Sequence, residues 1–206
     1  MVPTFHYIIL LFTFKVNPKI AKEEKHMAGT QSETHSGTRP AFRRSTDKEI
    51  DRCWEIIKEA RQFLRDQGVD QWQKEYPNRD SVADDIRNNN GYVMTDGDRI
   101  IAYACISFDG ETCYESLRGT WKSHQPYAVI HRLAIDNTCK GRGLASLMFS
   151  HAEELCLSKG IYSIKIDTDQ DNAIMRHLLE KNGYGYCGVV TFDNSDKIAY
   201  EKLLRP

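Results

Sequence analysis

The stretch TCKGRGLAS, Thr138 to Ser146, places two glycines and two cations between the apolar, strand-like run AVIHRLAI and the helix-like run LASLMFSHAEELCL. A strand, a glycine-bearing turn and a helix in that order aim unpaired backbone N–H groups and the positive end of a helix dipole at one point, which is chemistry for holding phosphate. Gly141 and Gly143 permit close approach and positive φ, while Lys140 and Arg142 add charge. Three ligands compete for such a turn: a nucleoside triphosphate, a dinucleotide and coenzyme A. The first needs Gly-x-x-x-x-Gly-Lys-Ser/Thr, which occurs nowhere in the chain. A dinucleotide fits the opening Gly141-Arg142-Gly143, and Asp167 ends the next strand where a ribose-binding acid is expected. Yet Ser146 stands where the third glycine belongs, and five residues separate Ile135 from Gly141.

The elements that must position this turn are legible from periodicity. Thr46 and Glu49 have capping-box spacing, and Ile50, Trp54, Ile57, Phe63 and Leu64 keep helical spacing up to Gly68. The stretch DQWQKEYPNRD, broken by Pro77, reads as a loop, followed by a short helix over 81–89. YVMTDGDRIIAYACISF reads as a hairpin about Asp96-Gly97, and the strand Ala128–Ile135 leads into the glycine turn. The helix after the turn sets Leu144, Leu147, Met148, Ala152 and Leu155 on one face and stops at Gly160. The strand IYSIKIDT follows, then a helix over 172–181 with Asp171 as its expected N-cap, closed by Asn182-Gly183. YGYCGVVTF and KIAYEKLL flank the turn DNSD as a last hairpin. This order predicts an α+β fold, a mixed and mostly antiparallel twisted sheet flanked by helices, without an internal repeat.

With Lys+Arg 28 against Asp+Glu 29, the net charge of -1 leaves no overall basic field for nucleic acid, so any anion binding is local. The six cysteines are scattered, with no Cys-x-x-Cys pair, and indicate neither a metal site nor a disulfide framework; a reducing, cytoplasmic setting is expected. Residues 1–40 differ in character. VPTFHYIILLFTF is an apolar run of 13, too short to span a bilayer alone, and HMAGTQSETHSGTRP is linker-like. The expected organisation is therefore an extension over 1–40 outside the fold, with a membrane or targeting role for its apolar run as the lesser alternative, and one catalytic or binding domain over 41–206.

The run from His131 to Val190 resembles the acyl-CoA-binding core of the GNAT superfamily of N-acetyltransferases. The signature Gln/Arg-x-x-Gly-x-Gly/Ala is met by Lys140, Gly143 and Ala145, with Lys in the first place, and the Asn-bearing helix ending in NGY corresponds to Asn172–Tyr184. DQWQKEYPN and HRLAI further resemble a bacterial-type subgroup whose substrates are mostly unassigned. The resemblance covers 42–204 and implies a GNAT fold with acetyl-CoA as cosubstrate and an amine as acceptor, no metal, and a monomer or homodimer. It implies backbone contacts from Leu133, Ala134 and Ile135 to the pantetheine arm. A pyrophosphate wrap would come from Lys140, Gly141, Arg142, Gly143, Leu144 and Ala145, with a further contact from Asn172.

Acyl transfer from a thioester to an amine needs a neutral nucleophile, stabilisation of charge on the carbonyl oxygen and a thiol leaving group. His131, two residues before Leu133, is the candidate base, since on an extended strand both side chains share a face near the expected thioester; a histidine packed under the sheet is the alternative. A backbone N–H near Leu133 is the expected oxyanion donor. Where many family members carry a tyrosine acid, this chain has Leu179, and protonation of the thiolate would fall to water. Tyr184 and Tyr162 are expected in the core or on the sheet face. No cysteine has a recognisable nucleophile setting, which favours direct transfer in a ternary complex. Trp72, Glu75 and Tyr76 in one loop, with Trp121, His124 and Tyr127 in another, could wall an acceptor cleft in which Glu75 attracts an ammonium, or could equally anchor those loops. A GNAT-fold acyl-CoA-binding or regulatory module without catalysis stays open beside the enzyme.

Overall fold

A computed structural model describes residues 39–192 and 195–205. The extension expected over 1–40 lies, up to residue 38, outside the described residues, as does part of the DNSD turn. Twelve regular elements follow in chain order. They are β1 (Ala41–Arg44), α1 (Ile50–Asp66), α2 (Arg79–Arg87), β2 (Gly91–Asp96), β3 (Arg99–Ser107), β4 (Arg118–Gly119), β5 (Ala128–Ile135), α3 (Leu144–Ser158), β6 (Ser163–Asp169), α4 (Ala173–Lys181), β7 (Gly185–Phe192) and β8 (Ser195–Leu203). Together the strands form one sheet in the order β1-β2-β3-β5-β6-β8-β7-β4. Every pairing is antiparallel except β5 with β6.

Local chemistry sets the helix starts. The Thr46 N–H donates to Glu49 Oε2 at 2.8 Å, the reciprocal bond of a capping box, one turn before α1. For α2 the expected start is corrected from residue 81 to Arg79, because the Asn78 side chain accepts from the Ser81 N–H at 2.9 Å and fixes the first turn there. For α4 the cap is Asn172, whose Oδ1 accepts from the Met175 N–H at 3.0 Å. Asp171, expected in that role, instead accepts from the Asp70 N–H at 3.1 Å. The strand β1 escaped periodicity, since four residues with two arginines carry no pattern; pairing with β2 creates it, and Phe42 stacks on Tyr92 at 5.3 Å.

Helices cover both faces of the sheet. Met148, Phe149 and Ala152 of α3 and Leu179 of α4 join Ile101, Ile130, Ile164 and Ile166 in the larger core. Ile56 and Ile57 of α1 and Val82 of α2 pack with Val93, Ile100 and Tyr103 on the other face. Each such fully buried large apolar side chain contributes roughly 1.5–3 kcal/mol against exposure, which makes the sheet a rigid frame for what lies at its centre.

Two irregularities at that centre matter. Tyr103 pairs with Ala134 and Cys105 with His131, so two residues of β5, Arg132 and Leu133, face the single Ala104 of β3. This bulge holds Arg132 at φ 52, a conformation costing a non-glycine residue roughly 1–2 kcal/mol. The arginine is kept there by a two-armed pair with Asp85 of α2, Nε to Oδ2 at 2.7 Å. Second, β5 and β6 pair only at Ala128 with Ile164 and Val129 with Lys165. Beyond that point β6 keeps its partner β8 as far as Asp169, and β5 keeps β3, so the two parallel strands part.

Candidate active site

The parted strands open a cavity of about 1320 Å³, lined by Ile130 to Ile135 of β5, Ile166 to Asp169 of β6 and the start of α3. Its two ends have different chemistry.

At one end is the glycine turn. Gly141 and Gly143 stand at φ 77 and φ 75, and a Cβ built on either would meet no atom within 4 Å. Glycine is thus required there by backbone conformation, and the space beside it is free for a ligand. Gly143 is the N-cap of α3 and offers no side-chain acceptor, so the first turn of Leu144, Ala145 and Ser146, which lines the cavity, has no side-chain cap for its amides. Lys140 lines this end with its Nζ 3.3 Å from the Phe63 ring centroid, and burial lowers its pKa against the opposing charge of Glu59. Arg142 is not in the lining; its guanidinium turns to Asp96 at 3.7 Å and to Cys139 Sγ at 3.7 Å.

A buried carboxylate braces the turn from below. Asp136, directly after β5, accepts from the Thr138 N–H at 2.9 Å and from Arg99 Nη2 at 2.8 Å, and also pairs with Arg52 of α1. Burial alone would push this carboxyl up, but the hydrogen bonds from Thr138 and Arg99 and the Arg99 charge bring it down to about 2. The phosphate-type turn is therefore tied to α1 and β3 and is not a free loop.

The other end is acidic. His131 Nε2 lies 3.3 Å from Glu111 Oε2. Burial lowers the pKa of this imidazole, and the Glu111 hydrogen bond together with the charges of Asp167, Glu111 and Asp85 more than reverses that, so the net shift is upward. Reciprocally, the His131 hydrogen bond holds Glu111 below the usual carboxylate range. Asp167 of β6 accepts from the Tyr114 hydroxyl at 2.8 Å, and no Lys, Arg or His among the described residues pairs with it. Burial pushes the Cys113 thiol up to about 12 and the Cys105 thiol higher still, so neither wall cysteine is a thiolate nucleophile.

The expectation that His131 and Leu133 share a face is overturned by the bulge. His131 pairs across the strand with Cys105 on the α1/α2 side, whereas Leu133 packs against the core under α3. Both nonetheless line the cavity, as do Ala134, Ile135, Lys140, Gly141, Gly143, Leu144, Ala145, Asn172, Trp72, Glu75 and Tyr76. Trp121 and Tyr127 do not. They pack around Tyr114, with Lys165 Nζ 4.2 Å from the Trp121 ring and 3.9 Å from the Tyr127 ring, and anchor the segment after β4 to the sheet. Leu179 is fully buried and Tyr184 is a core residue tilted against Phe149 at 5.3 Å between ring centroids, so neither supplies an acid to the cavity; Tyr162 lies at the surface. Sequence reasoning missed Glu111, Asp85, Asp136 and Gln71. Only Asp136 carried a signal, as an acid at the junction of strand and turn; the others meet the site through packing of distant segments.

The acetyltransferase (GNAT) family model matches residues 52–184. Comparison with curated proteins returns no match. Among solved structures, a GNAT-family acetyltransferase from Streptococcus agalactiae is 34% identical, with a TM-score of 0.74 over 81% of this chain and 96% of its own. PaiA N-acetyltransferase from Thermoplasma acidophilum, solved in complex with coenzyme A, shares 15% identity and a TM-score of 0.59 over 81% of this chain and 99% of its own. YncA from Salmonella typhimurium, solved with acetyl-CoA as its cofactor, shares 12% identity and a TM-score of 0.59, covering 82% and 96%. The last two are likenesses of fold.

Proposed function

The chain belongs to the GNAT acetyltransferase family, and from that premise we propose that it transfers an acetyl group from acetyl-CoA to a primary amine of a small molecule or peptide. The observation that carries the reading is the continuity of one cavity from an uncapped, glycine-led helix start to a histidine–carboxylate pair. Two fold neighbours solved with coenzyme A or acetyl-CoA support the assignment of the first end.

The residues fit the cosubstrate on their own terms. The turn from Lys140 to Ala145 supplies amides and a cation for a pyrophosphate, and the parted edge of β5 leaves Leu133 to Ile135 without a β6 partner for a pantetheine arm. Acetyl-CoA, when bound, brings an activated thioester. An ammonium is drawn to the acidic end by Asp167 and Glu111, half-buried carboxylates better placed for this than the exposed Glu75. His131 then takes the proton from the amine, directly or through water. The amine nitrogen forms the bond to the acetyl carbon, charge on the carbonyl oxygen is met by a β5 backbone N–H near Leu133, and the carbon–sulfur bond breaks. The thiolate of a group with pKa near 8.5 takes its proton from water or from His131.

Calorimetric titration with acetyl-CoA tests the premise. Binding in the wild type that is weakened at least about tenfold in Gly143→Glu is expected, because a carboxylate placed in the open space beside Gly143 repels a phosphate. Failure to bind at millimolar acetyl-CoA, with Gly143→Glu no different, rejects the reading.

A further inference from the structure

The loop between α1 and α2 carries Trp72, Glu75 and Tyr76, and it is fastened across the cavity to the junction of β6 and α4. Gln71 Oε1 accepts two hydrogen bonds there, from Thr168 Oγ1 at 3.1 Å and from Asn172 Nδ2 at 2.7 Å. Next to it the Asp70 N–H donates to Asp171 Oδ2 at 3.1 Å. Both donors to Gln71 are buried, Thr168 at 1% and Asn172 at 7% exposure, so losing the acceptor leaves polar hydrogens that water does not readily reach. The far side of the loop is tied to α1, with Arg61 Nη2 donating to the Lys74 carbonyl at 2.8 Å and Gln73 Nε2 to the Arg61 carbonyl at 3.0 Å.

Asn172 is the pivot of this arrangement. Its Oδ1 caps α4 through Met175, and its Nδ2 reaches Gln71, so one side-chain amide joins the start of α4 to the acceptor loop. Met175, Leu178 and Lys181 of α4 line the cavity together with the start of α3, while the loop lines it beside His131 and Arg132. We infer that Gln71 is a positioning residue, a latch on Asn172 and Thr168 that makes the coenzyme side and the acceptor side of the cavity respond to each other. The meaning of those two sides rests on the acetyltransferase reading above. By linkage, a ligand that orders the β6–α4 junction stabilises the latched loop, and the latched loop favours that ligand by the same factor. Because both partners of Gln71 are donors, a carboxylate at this position serves as well as the amide oxygen; an aliphatic side chain does not.

Hydrogen exchange of the full chain, read by mass spectrometry with and without coenzyme A, tests this. In ligand-free Gln71→Leu, amides of residues 70–76 are expected to exchange about tenfold faster than in wild type, with Gln71→Glu restoring the wild-type rate. Thr168→Val, which removes one donor and preserves shape, gives a smaller increase and serves if Gln71→Leu does not fold. Saturating coenzyme A slows 140–146 in all folded variants but slows 70–76 only in wild type and Gln71→Glu. Equal loop exchange in ligand-free Gln71→Leu and wild type, or equal slowing of 70–76 by coenzyme A in both, overturns the latch. Absence of any effect on 140–146 in wild type contradicts the coenzyme reading instead, and the ligand-free comparison still decides the latch.

Discussion

The imidazole of His131 and the carboxylate of Glu111 meet at 3.3 Å, Nε2 to Oε2, across the acidic end of the central cavity. Because the net pKa shift of His131 is upward, the imidazole must lose a proton at a pH above its ordinary value of about 6.5 before it can act as a base. Acetyl transfer is therefore expected to rise with pH through an inflection above that value. Replacing Glu111 with Gln removes the hydrogen-bonded anion and moves the inflection down. The same sign governs stability: protonated His131 stabilises the fold fully below about pH 6.5, and that contribution fades as pH rises through the folded-state pKa. A pH–rate profile of wild type and Glu111→Gln checks the inflection and its shift, and thermal unfolding over the same pH range checks the stability; coincident inflections separate Glu111 from the base.

Removing the imidazole is the sharper perturbation. His131→Ala is expected to lower kcat/KM by about 100-fold, the lower range for general base catalysis, with little change in acetyl-CoA affinity. Unchanged turnover takes His131 out of the mechanism.

Among the described residues Asp167 has a hydroxyl partner but no cationic one. Asp167→Asn keeps an acceptor for Tyr114 and deletes the charge, so KM for an amine acceptor is expected to rise about tenfold while KM for acetyl-CoA stays constant. Equal KM values in the two proteins remove Asp167 from acceptor binding.

Asp136 links the turn to acid stability. Its carboxyl is held at about 2, below the unfolded value of about 3.9. A depressed folded-state pKa contributes stability above the unfolded value that is lost as pH falls from about 4 to about 2. Thermal unfolding is expected to show Asp136→Asn less stable than wild type at neutral pH, with the two converging in that acidic window. Parallel curves across it contradict the assignment.

The sequence reading and the structure agree where signals are local and part company where they are not. The glycine turn, α1, α3, the β2–β3 hairpin and the mixed sheet were legible because capping boxes, alternation and glycine spacing act over a few residues. Asn78 and Asn172 displaced the expected helix starts because several residues near each start can cap, and geometry chooses among them. The face of His131 was misjudged because a one-residue bulge at Arg132 depends on Asp85, 47 residues away in sequence. Trp121 and Tyr127 looked like cleft aromatics; they pack instead on Tyr114 and Lys165, outside the cavity lining. Glu111 and Gln71 carry no motif, and only the tertiary fold brings them to His131 and Asn172.

The central claim is tested most directly by mass spectrometry of amine products. The full chain is incubated with acetyl-CoA and a panel of polyamines, aminoglycosides, amino acids and short peptides, with free thiol followed in parallel. The account predicts an amine heavier by one acetyl group, formed one for one with released coenzyme A and suppressed in His131→Ala. Tight acetyl-CoA binding with no acetylated amine and no thiol release across the panel contradicts it and favours a binding module on the same fold.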